Sequence, residues 1–407
     1  MSKKVLIMSA STGGGHNRAA RAIKEELENK TINNESIECE IIDSLKLVNN
    51  TMDKVISRGY EKSAIYTPKA YGSVYRLSES SLVSKNEFKD NFLTSLMAKK
   101  FRKLLKKSRP DLIIGTHPFP MIALSTLKKS TSDISSLNLS DAFHKHYKDI
   151  SVPPMISVLT DYTTHSTWIQ NEIDYYIVGH EYVKELLVFE GVNPNKVKAF
   201  GIPVEKSFLS HRDKEAVLSE LGLSPNKLTV LLMGGSFGAG NIKATLDELI
   251  SINRDFQIIV ITGRNESLRE KLEKNLALHH HDKDIVVLGF TNKMNDLLAS
   301  VDVLVSKPGG LTTTESLLKN LPMIVPYYIP GQEEENLDFL TNCGAALRTT
   351  KKYSLPVLLK VLIDDSSRLD MLKKNIKSIR KFNSAQNIAN LVVNELTYIN
   401  KLLNPLS

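Results

Sequence analysis

The sequence predicts an α/β protein made of two successive doubly wound halves with a cleft between them. Three observations point there. Short apolar runs alternate with helix-like stretches nearly throughout the chain. The alternation restarts near residue 227, after a polar stretch at about 203–226 that contains Ser210-His-Arg-Asp-Lys214. A glycine-rich turn follows the first strand-like run of each half, Gly13-Gly-Gly15 in one and Gly234-Gly235 in the other. Doubly wound sheets bind ligands at such turns.

In the first half, strands are expected at 5–10, 37–42, 111–115, 155–159 and 175–178, where aliphatic and aromatic residues cluster. Helices are expected at 17–29, 88–107 and 183–189. Residues 51–80, with Tyr60, Tyr66, Tyr71 and Tyr75, read as helix and loop. Residues 128–152 carry Ser, Lys, His and Asp with little periodicity and read as a surface loop. In the second half, strands are expected at 228–233, 257–261, 285–288, 301–305 and 323–326. Helices lie between them at 240–251, 266–276, 293–299 and 312–319, and residues 355–403 read as helical.

A chain of 407 residues exceeds one typical core and suits two. With 42% hydrophobic and 24% charged residues it is not a disordered chain. Cys39 and Cys343 form neither a disulfide framework nor a metal-ligand spacing, which suits a reducing cytoplasm. No apolar run nears the roughly 18–20 residues of a spanning helix, and Lys3-Lys4 precede a short strand rather than a signal-peptide core. The net charge of +8 admits nucleic acid or anionic lipid as partner. No helix-turn-helix, zinc-finger or RNA-binding signature is present, so nucleic acid is set aside, and for the charge alone a mildly basic soluble enzyme is the simpler reading. The 88–107 helix offers Phe88, Phe92, Leu96, Met97, Phe101, Leu104 and Leu105 on one face and Lys99, Lys100, Arg102, Lys103, Lys106 and Lys107 on the other positions. Such a helix either lies on anionic lipid or packs with a solvated basic face.

The most informative stretch is Ser306-Lys-Pro-Gly-Gly-Leu-Thr-Thr-Thr-Glu315, a strand end, two glycines and a helix start. The unpaired N–H groups of a first helical turn favour an anion. Gly309 and Gly310 either let a diphosphate approach the backbone or form a plain βα turn with a glycine-rich bend. Glu315, about one turn further, can accept hydrogen bonds from ribose hydroxyls. In the first half, Ser9-Ala-Ser-Thr-Gly-Gly-Gly-His16 fails the G-x-G-x-x-G spacing because Arg18 replaces the third glycine. What remains is a glycine loop presenting His16 at a helix start. His16 is either a general base or a turn cap. Asp161 and His165, with the only tryptophan, Trp168, follow a strand; Asp161 either assists a base or caps a turn. Thr116-His-Pro-Phe-Pro120 reads chiefly as loop architecture, with His117 a weaker candidate. The turn Met233-Gly-Gly-Ser-Phe-Gly-Ala-Gly-Asn241 can turn backbone amides toward a phosphate. Phe290 and Thr291 end a strand where backbone groups can meet a base edge. Gln332 and Glu333 suit sugar hydroxyls, while Glu334 and Glu335 read as a solvated helix start.

These motifs, in this order and with Asn336, resemble the monogalactosyldiacylglycerol synthase and processive diacylglycerol glucosyltransferase family over about residues 3–395. The likeness to the peptidoglycan N-acetylglucosaminyltransferase is more distant. The resemblance implies the GT-B fold of glycosyltransferase family 28, two Rossmann-like domains, and inverting transfer of a hexose from UDP-glucose or UDP-galactose to diacylglycerol or a glycosylated diacylglycerol. It implies an acceptor domain at 1–205, a donor domain at 206–375 and C-terminal helices at 376–407 packing back on the first domain. By this resemblance His16 is the base, with Asp161 as helper or alternative. Gly14, Gly15, His165 and Trp168 fall on the acceptor side. On the donor side, Gly235, Ser236 and Pro308 bind the donor, and Gly309 through Thr313 (Gly309, Gly310, Leu311, Thr312, Thr313) take the diphosphate. Phe290 and Thr291 take uracil, Glu315 ribose, and Gln332, Glu333 and Asn336 the hexose. No metal or other cofactor is expected, and the location implied is peripheral, on the inner face of the cell membrane at an anionic lipid surface. Two departures stand out: 128–152 is longer than usual, and Ser11-Thr-Gly-Gly-Gly15 sits closer to the galactose-transferring plant relatives.

Other readings use the same fold. A nucleotide-sugar epimerase needs no acceptor, a transferase could take a soluble acceptor, and a non-catalytic nucleotide-sugar sensor needs no base.

Overall fold

The computed structural model describes residues 2–10, 14–48, 92–136, 151–234 and 241–403. These form two compact units, the first holding the described residues up to Glu205 together with those from Asn383 on, the second Lys206–Phe382.

The first unit contains β1 (Lys3–Ser9), α1 (Gly15–Glu28), β2 (Thr31–Ile32), β3 (Glu35–Asp43), α2 (Ser44–Val48), α3 (Phe92–Ser108), β4 (Leu112–Gly115), α4 (Pro118–Ser136), β5 (Met155–Val158), β6 (Tyr175–Ile177), α5 (Glu181–Phe189) and β7 (Val197–Lys198). The sheet order is β2-β3-β1-β4-β5-β6-β7. All pairs are parallel except β2 with β3, a hairpin turned by Asn33 and Asn34 at positive φ. Asparagine tolerates that conformation better than most residues. The chain passes from β1 outward to β3 and returns to β4 on the other side of β1. The switch point therefore lies at the carboxyl ends of β1 and β4.

The second unit contains α6 (Lys214–Glu220), β8 (Thr229–Met233), α7 (Ile242–Ile250), β9 (Gln257–Ile261), α8 (Glu266–Leu278), β10 (Ile285–Leu288), α9 (Met294–Ser300), β11 (Val303–Val305), α10 (Gly310–Leu318), β12 (Met323–Val325), α11 (Gln332–Asn342), β13 (Ala346–Arg348), α12 (Leu355–Asp364) and α13 (Ser366–Ile379). Its sheet is parallel throughout, in the order β10-β9-β8-β11-β12-β13. The switch point lies between β8 and β11, and the turn after β11 is the one that carries Lys307 to Gly310. The core gathers Val230, Leu232, Ile258, Val260, Val303 and Val305 from the strands with Leu355, Leu359 and Leu372 from α12 and α13.

The last helix, α14 (Ser384–Leu403), belongs to the first unit. It packs on α1 and inserts Ile388, Ala389, Val392 and Leu396 into the same core as Val5, Ile7, Ile23 and Ile114. Burying each of the larger aliphatic side chains contributes roughly 1.5–3 kcal/mol. Ser384 Oγ donates to Gly201 O at 2.6 Å and Tyr175 Oη to Glu395 at 2.8 Å, which ties the start and the middle of the helix to the unit.

Two expectations change. Residues 128–136, read as loop, are the end of α4. Thr116-His-Pro-Phe-Pro120, expected as loop, runs into this helix: Pro118 and Pro120 sit in its first turn, where no intrahelical N–H is needed. Residues 137–150 of the expected loop, and the tyrosine-bearing 51–80, fall outside the described residues. On α3, Phe101 and Leu105 are buried and the helix packs against α4, while Lys99, Lys100, Lys103, Lys106 and Lys107 are exposed. These two apolar side chains face protein.

Candidate active site

In the first unit three loops converge on His16. The first is the start of α1, where Gly14 is the N-cap and offers no side-chain cap, and Gly15 opens the helix. The second follows β4 and brings Thr116 and His117; the third follows β5 and brings Thr160 and Asp161. His16 Nδ1 is 2.8 Å from the carbonyl oxygen of Thr116 and 2.8 Å from Thr160 Oγ1. A carbonyl oxygen only accepts, so Nδ1 must carry the hydrogen and donate it. The lone pair is then on Nε2, the tautomer a general base needs. Asn17, next in α1, accepts from Ser9 Oγ at 2.7 Å and ties the helix start to the end of β1.

Burial lowers the proton affinity of His16, while the Asp161 carboxylate and the hydrogen bond to Thr116 act in the opposite sense; burial prevails. The result is an imidazole kept neutral with a half-buried carboxylate nearby to stabilise the cation once a proton arrives. His117 meets the His16 ring edge-on, with centroids 4.7 Å apart.

His165 and Trp168 are both buried. Trp168 is 4% exposed and part of the core. His165 caps the short 3₁₀ turn Ser166–Trp168, its Nδ1 accepting from Thr167 N at 3.2 Å. Burial pushes the His165 imidazole down to about 4.

In the second unit, α10 starts at Gly310 with Gly309 as N-cap and no side-chain cap. Its first N–H groups are thus left for a ligand or solvent. Pro308 is buried, and Leu311 and Thr312 are partly exposed. Thr313 Oγ1 and Ser306 Oγ, at either side of the turn, are buried and bond to no other protein atom among the described residues. Glu315 is buried one turn on, at 4% exposure. Gly309 is at an ordinary φ of −63°, and a Cβ there would stand 3.7 Å from both Lys307 Nζ and Glu333 Oε1. Its missing side chain thus leaves backbone accessible rather than relieving strain.

Gln332 and Glu333 open α11 after Gly331, whose φ of 103° suits glycine. Asn336 is fully buried in the next turn. Glu333 pairs with Lys307 and also accepts from Ile329 N at 2.9 Å. Burial and the Glu333 carboxylate both raise the Tyr327 phenol above its ordinary range. Phe290 is 57% exposed, with the Arg264 guanidinium 5.3 Å from its ring centre. It borders a cavity of about 290 Å³ lined also by Leu288, Gly289, Thr291, Val217 and Leu297. Gly235 and Ser236 fall outside the described residues.

Sequence reasoning underrated Thr116, His117, Lys307 and Arg264. The usable signal for the first two was position: polar residues immediately after a parallel strand at the switch point.

Two Rossmann-like domains of this kind make the GT-B fold. MurG of Acinetobacter baumannii shares it, with a TM-score of 0.59 and 14% identity over 96% of this chain and 99% of that one. So does the UDP-GlcNAc 2-epimerase of Neisseria meningitidis bound to UDP-GlcNAc, with a TM-score of 0.55 and 14% identity over 97% and 99%. At these identities the likeness is one of fold alone. The sequence is more specific. Residues 16–204 match the monogalactosyldiacylglycerol (MGDG) synthase family, and residues 229–392 match the glycosyltransferase family 28 C-terminal domain. The chain belongs to this family of glycosyltransferases. It is similar to the processive diacylglycerol beta-glucosyltransferase of Bacillus licheniformis, 29% identical over 97% of this chain and 95% of that protein.

Proposed function

We propose that this protein transfers a hexose from UDP-glucose or UDP-galactose to the hydroxyl of diacylglycerol or a glycosylated diacylglycerol, with inversion at the anomeric carbon. The observation that carries the reading is the 2.8 Å contact between His16 Nδ1 and the carbonyl oxygen of Thr116, which assigns the ring hydrogen to Nδ1 and leaves Nε2 to accept a proton. In this reading Nε2 takes the acceptor hydroxyl proton as its oxygen attacks the anomeric carbon. The bond from that carbon to the diphosphate oxygen breaks in the same displacement, which inverts the centre. Asp161 stabilises the imidazolium that forms. The negative charge arriving on the diphosphate meets the open N–H groups at the start of α10 and the Lys307 ammonium. Glu315 holds ribose, Phe290 and Thr291 flank uracil, and Gln332, Glu333 and Asn336 read the hexose. The name of the Bacillus licheniformis relative supports the lipid acceptor and a glucosyl donor.

The reading also has the exposed lysines of α3 meet anionic lipid at the inner face of the cell membrane. Among the described residues no helix is long and apolar enough to cross a membrane.

The deciding experiment incubates the protein with radiolabelled UDP-glucose or UDP-galactose and liposomes of diacylglycerol and anionic phospholipid, with and without EDTA. Labelled glycolipid on thin-layer chromatography, undiminished by EDTA, is expected, and a ladder of spots would mean successive additions. Donor conversion with no label in lipid would move the reading to an epimerase. Donor binding without turnover would move it to a sensor.

A further inference from the structure

We propose that His117 is a positioning residue for His16, a neutral and immobile neighbour that keeps the base in its proton-accepting form. The inference rests on the reading of His16 as the base. His117 stands directly after β4, 5% exposed, where its Nδ1 accepts from Phe119 N at 3.2 Å. That bond uses the Nδ1 lone pair, so the ring hydrogen is on Nε2 and the ring is neutral. A second proton on His117 would face the Phe119 N–H with another N–H. The ring is also braced by the Phe119 side chain, centroids 4.6 Å apart. It cannot swing aside to admit water without losing both contacts.

Against this fixed ring lies His16, centroids 4.7 Å apart and planes at 77°. Among the described residues, the groups facing His16 come from two elements: Thr116 and His117 after β4, and Thr160 and Asp161 after β5. The titratable ones among these are His117 and Asp161. Asp161 favours the imidazolium, whereas the buried His117 ring excludes the water that would solvate it. Both histidines lie below the ordinary imidazole value, His117 well below it. A base biased in this way is unprotonated when the acceptor binds, and its carboxylate neighbour becomes favourable only as the proton is transferred.

The test compares full-length wild type, His117→Ala and His117→Phe. The His16 ring is titrated by NMR with labelled histidine and assigned through His16→Gln, and transfer rates are measured across pH. In His117→Ala, water should enter and the His16 midpoint should rise. The ratio of the transfer rate at about pH 8 to that at about pH 6 should grow by roughly threefold or more. His117→Phe keeps the dry ring and should leave the midpoint near the wild-type position. An unmoved midpoint in His117→Ala would overturn the proposal, whatever the loss of stability. If that variant does not fold, His117→Asn replaces it under the same criterion, since it keeps an acceptor for Phe119 N–H while removing the ring. A moved midpoint with an unchanged rate profile would also overturn it, by removing His16 from the reaction. The titration needs no substrate, so a protein that transfers no sugar at all would refute the transferase reading separately.

Discussion

Lys307 is ion-paired with Glu333, which lies 26 residues further along the chain. Each belongs to a different motif, one at the diphosphate turn and one at the hexose helix, and both side chains are mostly buried, at 18% and 13% exposure. In the proposed reaction the pair would link recognition of the sugar to the charge that its departure leaves behind. Lys307→Met should leave Glu333 as an unpaired, mostly buried carboxylate, costing about 1–3 kcal/mol by thermal or denaturant unfolding. It should also raise the donor KM. Glu333→Gln, which can still accept from Ile329 N, should cost less stability. A Lys307→Met protein with wild-type stability and donor KM would show that the pair matters to neither.

His16→Ala should lower turnover by about 10²–10⁴-fold, the usual contribution of general-base catalysis. Calorimetry should find UDP binding unchanged, because the donor motifs are in the second unit. Wild-type turnover in this variant would move the base elsewhere, with Asp161 the next residue to test.

Gly309→Ala separates stability from binding. The φ of Gly309 suits any residue and the added methyl would meet only ordinary contacts. Folding stability should hold or rise by about 0.4–1 kcal/mol. In the proposed reading the methyl would nevertheless stand where the diphosphate approaches the backbone, so UDP affinity should fall by about tenfold. Unchanged UDP affinity would exclude this turn as the diphosphate site.

Acid should destabilise the first unit through its buried histidines. His165 is held down at about 4, by burial, from an unfolded value near 6.5. Above that upper value both states are neutral and the folded state has its full advantage. As pH falls from about 6.5 toward 4 the unfolded chain takes up a proton that the folded chain refuses, so stability drops. His165→Asn, which can still cap the turn, should show a shallower loss over that window, by on the order of 1–3 kcal/mol. Parallel pH curves for the two proteins would remove His165 from the account.

Much of the architecture was readable because it was written locally. Val303, Leu304 and Val305 followed by Lys307-Pro-Gly-Gly310 announce a strand, a turn and a helix start within a few residues. What escaped were features decided by position or by distant partners. The prolines of α4 act as helix starters only because they occupy its first turn. The β2–β3 hairpin depends on two asparagines in a conformation their neighbours do not signal. His16 was legible as a candidate, but its tautomer depends on Thr116, which is 100 residues away in sequence. Trp168 drew attention by being the only tryptophan, and solitude says nothing about burial. Arg264 gave no sign of lying over Phe290, since that contact exists only once β9 and β10 pair.

The placement of α14 has a consequence for how the chain is made. The first unit starts at the N-terminus, yet Ile388, Ala389, Val392 and Leu396 complete its core. During synthesis the strands from β1 to β7 emerge early and wait with an apolar surface uncovered, while the residues of the second unit are made and can fold as an insert. The unit that begins first therefore finishes last, and a ribosome stalled, or a chain cut, near residue 382 would strand it without its final helix.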